Sequence, residues 1–120
     1  MKKTIEINGK PMEFEATATT DHMVEGLFGI RVTYALNNTS EDEYPDLVKK
    51  IAFVMNRRAV LGSWKKVLEL SQEDFYNWLD EIDAFALENG DTAKEILTLY
   101  AGNRMTHVAP KNATSPQAGS

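Results

Sequence analysis

The chain has 120 residues, of which 42% are hydrophobic and 26% charged, and a formal net charge of −5. That is enough apolar material for one modest core, and it argues against wholesale disorder. The absence of cysteine excludes disulfides and thiolate zinc sites. The acidic balance speaks against a duplex-binding domain, which carries a basic face.

The first predicted element is a β-hairpin over residues 4–16. Ile5 and Ile7 alternate with Thr4 and Glu6, and Met12, Phe14 and Ala16 alternate with Glu13 and Glu15. Period-two alternation on both sides of Asn8-Gly9 is a strong hairpin signal, and both turn residues tolerate the positive φ of a type I′ turn. Pro11 cannot donate to a ladder, so it should face an edge. A lone hairpin is marginal in water. Its apolar face, with Ile5, Ile7, Met12 and Phe14, must pack on helices that follow.

Thr20 is the predicted N-cap of a first helix, with Asp21 in its first turn. Met23 with Leu27 and Val24 with Phe28 are spaced i, i+4, and Gly29 suits the left-handed stop. A short helix or turn follows through Ile30, Val32, Tyr34 and Leu36, ending at Asn37-Asn38. The acidic segment 37–46 reads as a loop. A central helix then runs from Pro45 to about Arg58, with Leu47, Val48, Ile51, Ala52, Val54 and Met55 on one broad face. Phe53 breaks the pattern. At 100° per residue it falls among Lys49, Lys50, Asn56 and Arg57. Either another helix covers it, through Trp64, or it is an exposed aromatic anchor for a partner.

Gly62-Ser63 interrupts the chain, and Trp64 to Leu70 is compatible with a helical turn or a loop. Ser71 with Asp74 forms a variant capping box ahead of a helix. Phe75, Trp78, Leu79, Ile82 and Phe85 share its core face, and Asn89-Gly90 ends it. A last helix follows Asp91, with Ala93, Ile96, Leu97 and Tyr100 on one side. These elements predict an α+β fold, an N-terminal hairpin packed on four to five helices. Residues 1–102 form the globular domain, and 103–120 a flexible polar tail.

Catalytic patterns are missing. His22 and His107 are the only histidines, with no HExxH around them. Glu41-Asp42-Glu43 lacks EF-hand spacing and reads as a solvated loop. No phosphate loop, dinucleotide fingerprint or nucleophile elbow occurs. The expectation is a non-enzymatic protein without metal or cofactor. No apolar run reaches membrane-spanning length, and no apolar h-region follows the basic Met1-Lys2-Lys3-Thr4, so neither a membrane span nor a secretory signal is expected.

Several segments together resemble one family. They are IEINGKPMEF, EATATTDHMVEGLFGIRV, LVKKIAFVMNRRA and DFYNWLDEIDAF, followed by a final apolar helix. In this order they resemble the tail assembly chaperones of long-tailed, siphovirus-type phages and prophages of Gram-positive bacteria, over about residues 4 to 100. Glu25-Gly26 stand where an arginine commonly precedes the Phe-Gly stop, and the segment from Val60 to Leu70 is longer. The resemblance implies a chaperone that binds the tape measure protein, keeps it soluble and helps recruit tail tube subunits. It implies residence in the host bacterial cytoplasm and absence from the mature virion. Many such proteins also have a frameshifted longer form, whose extension would join after Gly102. For this role the candidate partner-binding residues are Phe53, Phe28 and Trp64, with Lys49 and Arg57 flanking Phe53. Self-association is compatible with apolar helical faces on so small a chain. The competing readings are a small protein-binding adaptor or regulator and a head–tail connector protein.

Overall fold

Asn8 and Gly9 both take positive φ, 54° and 79°, in a computed structural model that describes residues 1–88 and 90–107. They join β1 (Lys2–Ile7) to β2 (Lys10–Glu15) as an antiparallel pair in which Ile7 faces Lys10 across the turn. A two-residue hairpin closes on a hydrogen-bonded pair, so the next pair, Glu6 with Pro11, is a non-bonded one. Pro11 therefore forfeits no ladder bond. Ile5, Ile7 and Phe14 are buried and Met12 packs beside them, as the alternation requires.

Six α-helices and one 3-10 turn follow among the described residues. They are α1 (Thr20–Phe28), α2 (Val32–Asn38), α3 (Tyr44–Leu61), α4 (Trp64–Leu68), α5 (Gln72–Ile82), the 3-10 turn (Ala84–Glu88) and α6 (Gly90–His107). The fold is α+β, with the hairpin packed on more helices than the four to five expected. The segment 64–70 resolves as the short helix α4, started by Ser63, whose Oγ accepts from the Lys65 N–H at 3.1 Å. At α1 the capping expectation is corrected. Thr19 occupies the N-cap without a side-chain bond, and Thr20 Oγ1 accepts from the Thr17 N–H at 2.8 Å. The stop at Gly29 is as expected, with φ 70°.

Helix α3 is the axis of the molecule. It packs against β2, α1, α2, α4, α5, α6 and the 3-10 turn. Six consecutive residues, Ile51 to Asn56, are buried. Six residues exceed one full turn of 3.6, so the middle of α3 has no solvent face.

Helix α5 begins with the expected capping box. The Asp74 N–H donates to Ser71 Oγ at 3.2 Å, and the Ser71 N–H donates to Asp74 Oδ2 at 2.8 Å. Ser71→Ala removes both the acceptor and the reciprocal geometry, and should cost about 1 kcal/mol in urea-induced unfolding. The far end of α5 departs from expectation. Asp83 takes φ 53°, a left-handed conformation that ends the helix at Ile82. Asn8 Nδ2 donates to the Ile82 and Asp83 carbonyls at 2.9 and 3.1 Å, so the hairpin turn caps this helix end. The chain leaves in a 3-10 turn, and Phe85 swings out of the core face to 77% exposure.

Helix α6 continues past Gly102 to His107. Residues 103–107, expected to open the flexible tail, are therefore helical, and Asn103 is buried with its Oδ1 3.5 Å from the Met1 amino group. The remainder of the expected tail, residues 108–120, lies outside the described residues.

Candidate functional site

Phe53 is 1% exposed, so of its two readings the covered one holds and the exposed anchor does not. Its ring meets Phe75 at 5.2 Å, Trp78 at 5.4 Å and Phe28 at 6.3 Å, all edge-to-face. The cover comes from α5 and α1. Trp64, expected to supply it, stands 45% exposed on α4 with Lys65 Nζ 5.8 Å from its ring centroid. Phe28 is half-buried, 4.9 Å from Phe75 and 5.5 Å below Lys50 Nζ. Phe28 and Phe53 thus share one aromatic cluster, which serves as core.

Lys49 and Arg57 are engaged within the chain. Lys49 Nζ lies 2.6 Å from Glu88 Oε2 and 5.8 Å from the Phe85 ring centroid, tying α3 to the 3-10 turn. Arg57 donates from Nε and Nη2 to Asn56 Oδ1 at 3.2 and 2.7 Å. Burial holds its guanidinium below the ordinary arginine range, while Glu81 and Asp74 pull the other way. The five expected residues therefore do not converge on one surface.

Asn56 is the polar centre that the sequence did not single out. Its Oδ1 also accepts from Trp78 Nε1 at 2.9 Å, and its Nδ2 donates to the Glu13 carbonyl at 2.9 Å. One side chain thereby joins α3, α5 and β2. The available signal was an asparagine, a weak helix former, inside an apolar helical run.

The open surface lies elsewhere. A groove of about 430 Å³ runs between α3 and α6, with the 3-10 turn contributing Leu87 and Glu88. Helix α3 contributes Tyr44, Pro45 and Val48, and α6 contributes Gly90, Ala93, Lys94, Leu97, Thr98 and Ala101. The α6 positions recur at helical spacing over about 16 Å of helix axis. They form a shallow face of mostly small side chains, which lets another backbone come close. The expected core stripe of α6 is thus divided. Ile96 and Tyr100 point into the core, whereas Ala93 and Leu97 are half-buried at the groove.

Beside the groove, the 3-10 turn presents Phe85, the most exposed of the large hydrophobic side chains among the described residues. A second, smaller hollow lined by Lys49, Leu79, Ala84 and Phe85 lies there. The Lys49–Glu88 ion pair joins the two hollows, since Lys49 lines one and Glu88 the other. Among the described residues no group of three or more His, Asp or Glu side chains is placed to hold a metal ion. No described helix is long and apolar enough to cross a membrane. No family model, curated protein or solved structure matches the chain.

Proposed function

We propose that this protein is a tail assembly chaperone of a long-tailed phage or prophage of Gram-positive bacteria. In this reading it binds the tape measure protein, keeps it soluble and helps recruit tail tube subunits. The role is non-enzymatic, needs no cofactor, is carried out in the host cytoplasm and leaves the protein out of the finished virion. The observation that carries the reading is the ordered set of resembling segments. In chain order they run through the hairpin, α1 with its Phe28-Gly29 stop, α3, and α5 with its Trp78-Leu79-Asp80 run, before the final helix α6. The groove between α3 and α6 and the exposed Phe85 give this reading a surface, because a chaperone for a helical chain needs apolar grooves and aromatic anchors.

The test is capture of partners by tagged protein from an induced lysogen or infected host, read by mass spectrometry. The expected result is a very long tape measure chain with tail tube protein alongside. Phe85→Ser should lower that capture several-fold and leave folding stability within about 0.5 kcal/mol, since the side chain is largely exposed. Capture of a regulator in place of both would move the function to an adaptor. Capture of a capsid component would move it to a head–tail connector.

A further inference from the structure

We infer that the groove between α3 and α6 docks an amphipathic helix whose apolar stripe is flanked by lysine or arginine. The inference rests on reading this groove as the partner-binding face, and it adds the chemistry of what binds there.

Shape sets the first condition. The α6 side of the groove is a helical face of about three turns, and Ala93 and Ala101 leave it shallow. Opposite stand Tyr44 and Val48 of α3. Two helices with an open seam between them accept a third helix laid along that seam, with small residues permitting close approach of the axes. An extended strand would gain no backbone bonds from the protein, because both walls of the groove are helices whose own backbone bonds are already made.

Charge sets the second condition. Glu41, Asp42 and Glu43 are exposed and run directly into Tyr44 at the start of α3. Glu88 lines the groove at the 3-10 turn. Glu88 and Lys49 are paired at 2.6 Å and offset each other, and Lys94 stands on the α6 side. The end of the groove at Tyr44 is therefore acidic, beside an apolar floor. A ligand helix with basic flanks gains from this field, and one with acidic flanks is repelled. A second copy of this chain, with its net charge of −5, meets the same repulsion.

The experiment uses the full chain and two fluorescent helical peptides of about 18 residues with the same alanine–leucine stripe, one with lysine flanks and one with glutamate flanks. Fluorescence anisotropy at low salt should show the lysine peptide binding at least about 10-fold more tightly, and about 0.5 M salt should erase most of the difference. The double variant Glu41→Lys, Asp42→Lys should remove the preference. Thr98→Arg, at an exposed position on the groove face, should abolish binding of both peptides. Circular dichroism of each variant confirms that the fold is retained.

Equal binding of the two peptides overturns the charge condition, and binding unaffected by Thr98→Arg overturns the site. Concentration-dependent dimerisation abolished by Thr98→Arg overturns the inference in favour of a second copy as occupant. Loss of peptide binding alongside intact capture of the tape measure protein refutes the groove and leaves the chaperone reading standing. Peptide binding without that capture does the reverse.

Discussion

Phe53→Ala should destabilise the protein by about 3–5 kcal/mol, measured by urea-induced unfolding followed by tryptophan fluorescence. The side chain is 1% exposed and contacts three other aromatic rings drawn from α1 and α5. Truncation removes the transfer energy of the ring and leaves a cavity at the crossing of three helices. The neighbours cannot close on it, because α3 is packed on every side at this level. The loss is a sizeable fraction of what a domain of this size holds in total. Partner capture measured well below the unfolding transition should stay unchanged for the folded fraction. A variant that keeps its stability but loses its partner would return Phe53 to the role of a contact residue.

Asn56→Leu should have the second largest effect, about 2–4 kcal/mol, although the two side chains are similar in size. The cost comes from what is left behind. Trp78 Nε1 and the Glu13 carbonyl each lose a partner, and the Arg57 guanidinium loses the acceptor of two donors. A buried donor stranded in this way bears its desolvation penalty without compensation. The diagnostic is a double-mutant cycle with Trp78→Phe, which removes the indole donor. The pair should cost less than the sum of the singles by about 1 kcal/mol or more. Strict additivity would show that the Asn56–Trp78 bond contributes nothing to the fold.

Phe53 and Phe85 mark where helical periodicity misplaces a side chain. Helical spacing placed Phe53 on the polar side of α3 and Phe85 on the core face of α5, and the tertiary structure reverses both. For Phe53 the reason is surroundings. Periodicity assumes that a helix buries one side, but α3 is enclosed through Ile51 to Asn56, so all of its sides count as core there. For Phe85 the reason is phase. The helical count holds only while the helix continues, and Asp83 in left-handed geometry resets it three residues after Asp80. Asn8, distant in sequence, fastens that end through the Ile82 and Asp83 carbonyls. No local window contains both partners.

The sequence by itself determined the local devices. The Asn8-Gly9 turn, the alternation of Ile5, Ile7 and Phe14, the Gly29 stop and the Ser71–Asp74 capping box are all in place, because each is decided by backbone conformation and bonds within a few residues. Together they were enough to indicate an α+β fold with the hairpin packed on helices. Phe14, Phe75 and Trp78 are core as their spacing indicates, but only the tertiary structure decided that Phe53 is core and Phe85 is not, that Asn56 joins three elements, and that α3 and α6 leave a groove between them. Those features depend on how many neighbours surround a helix and on contacts between residues tens of positions apart, and neither quantity is written in the periodicity of a single segment.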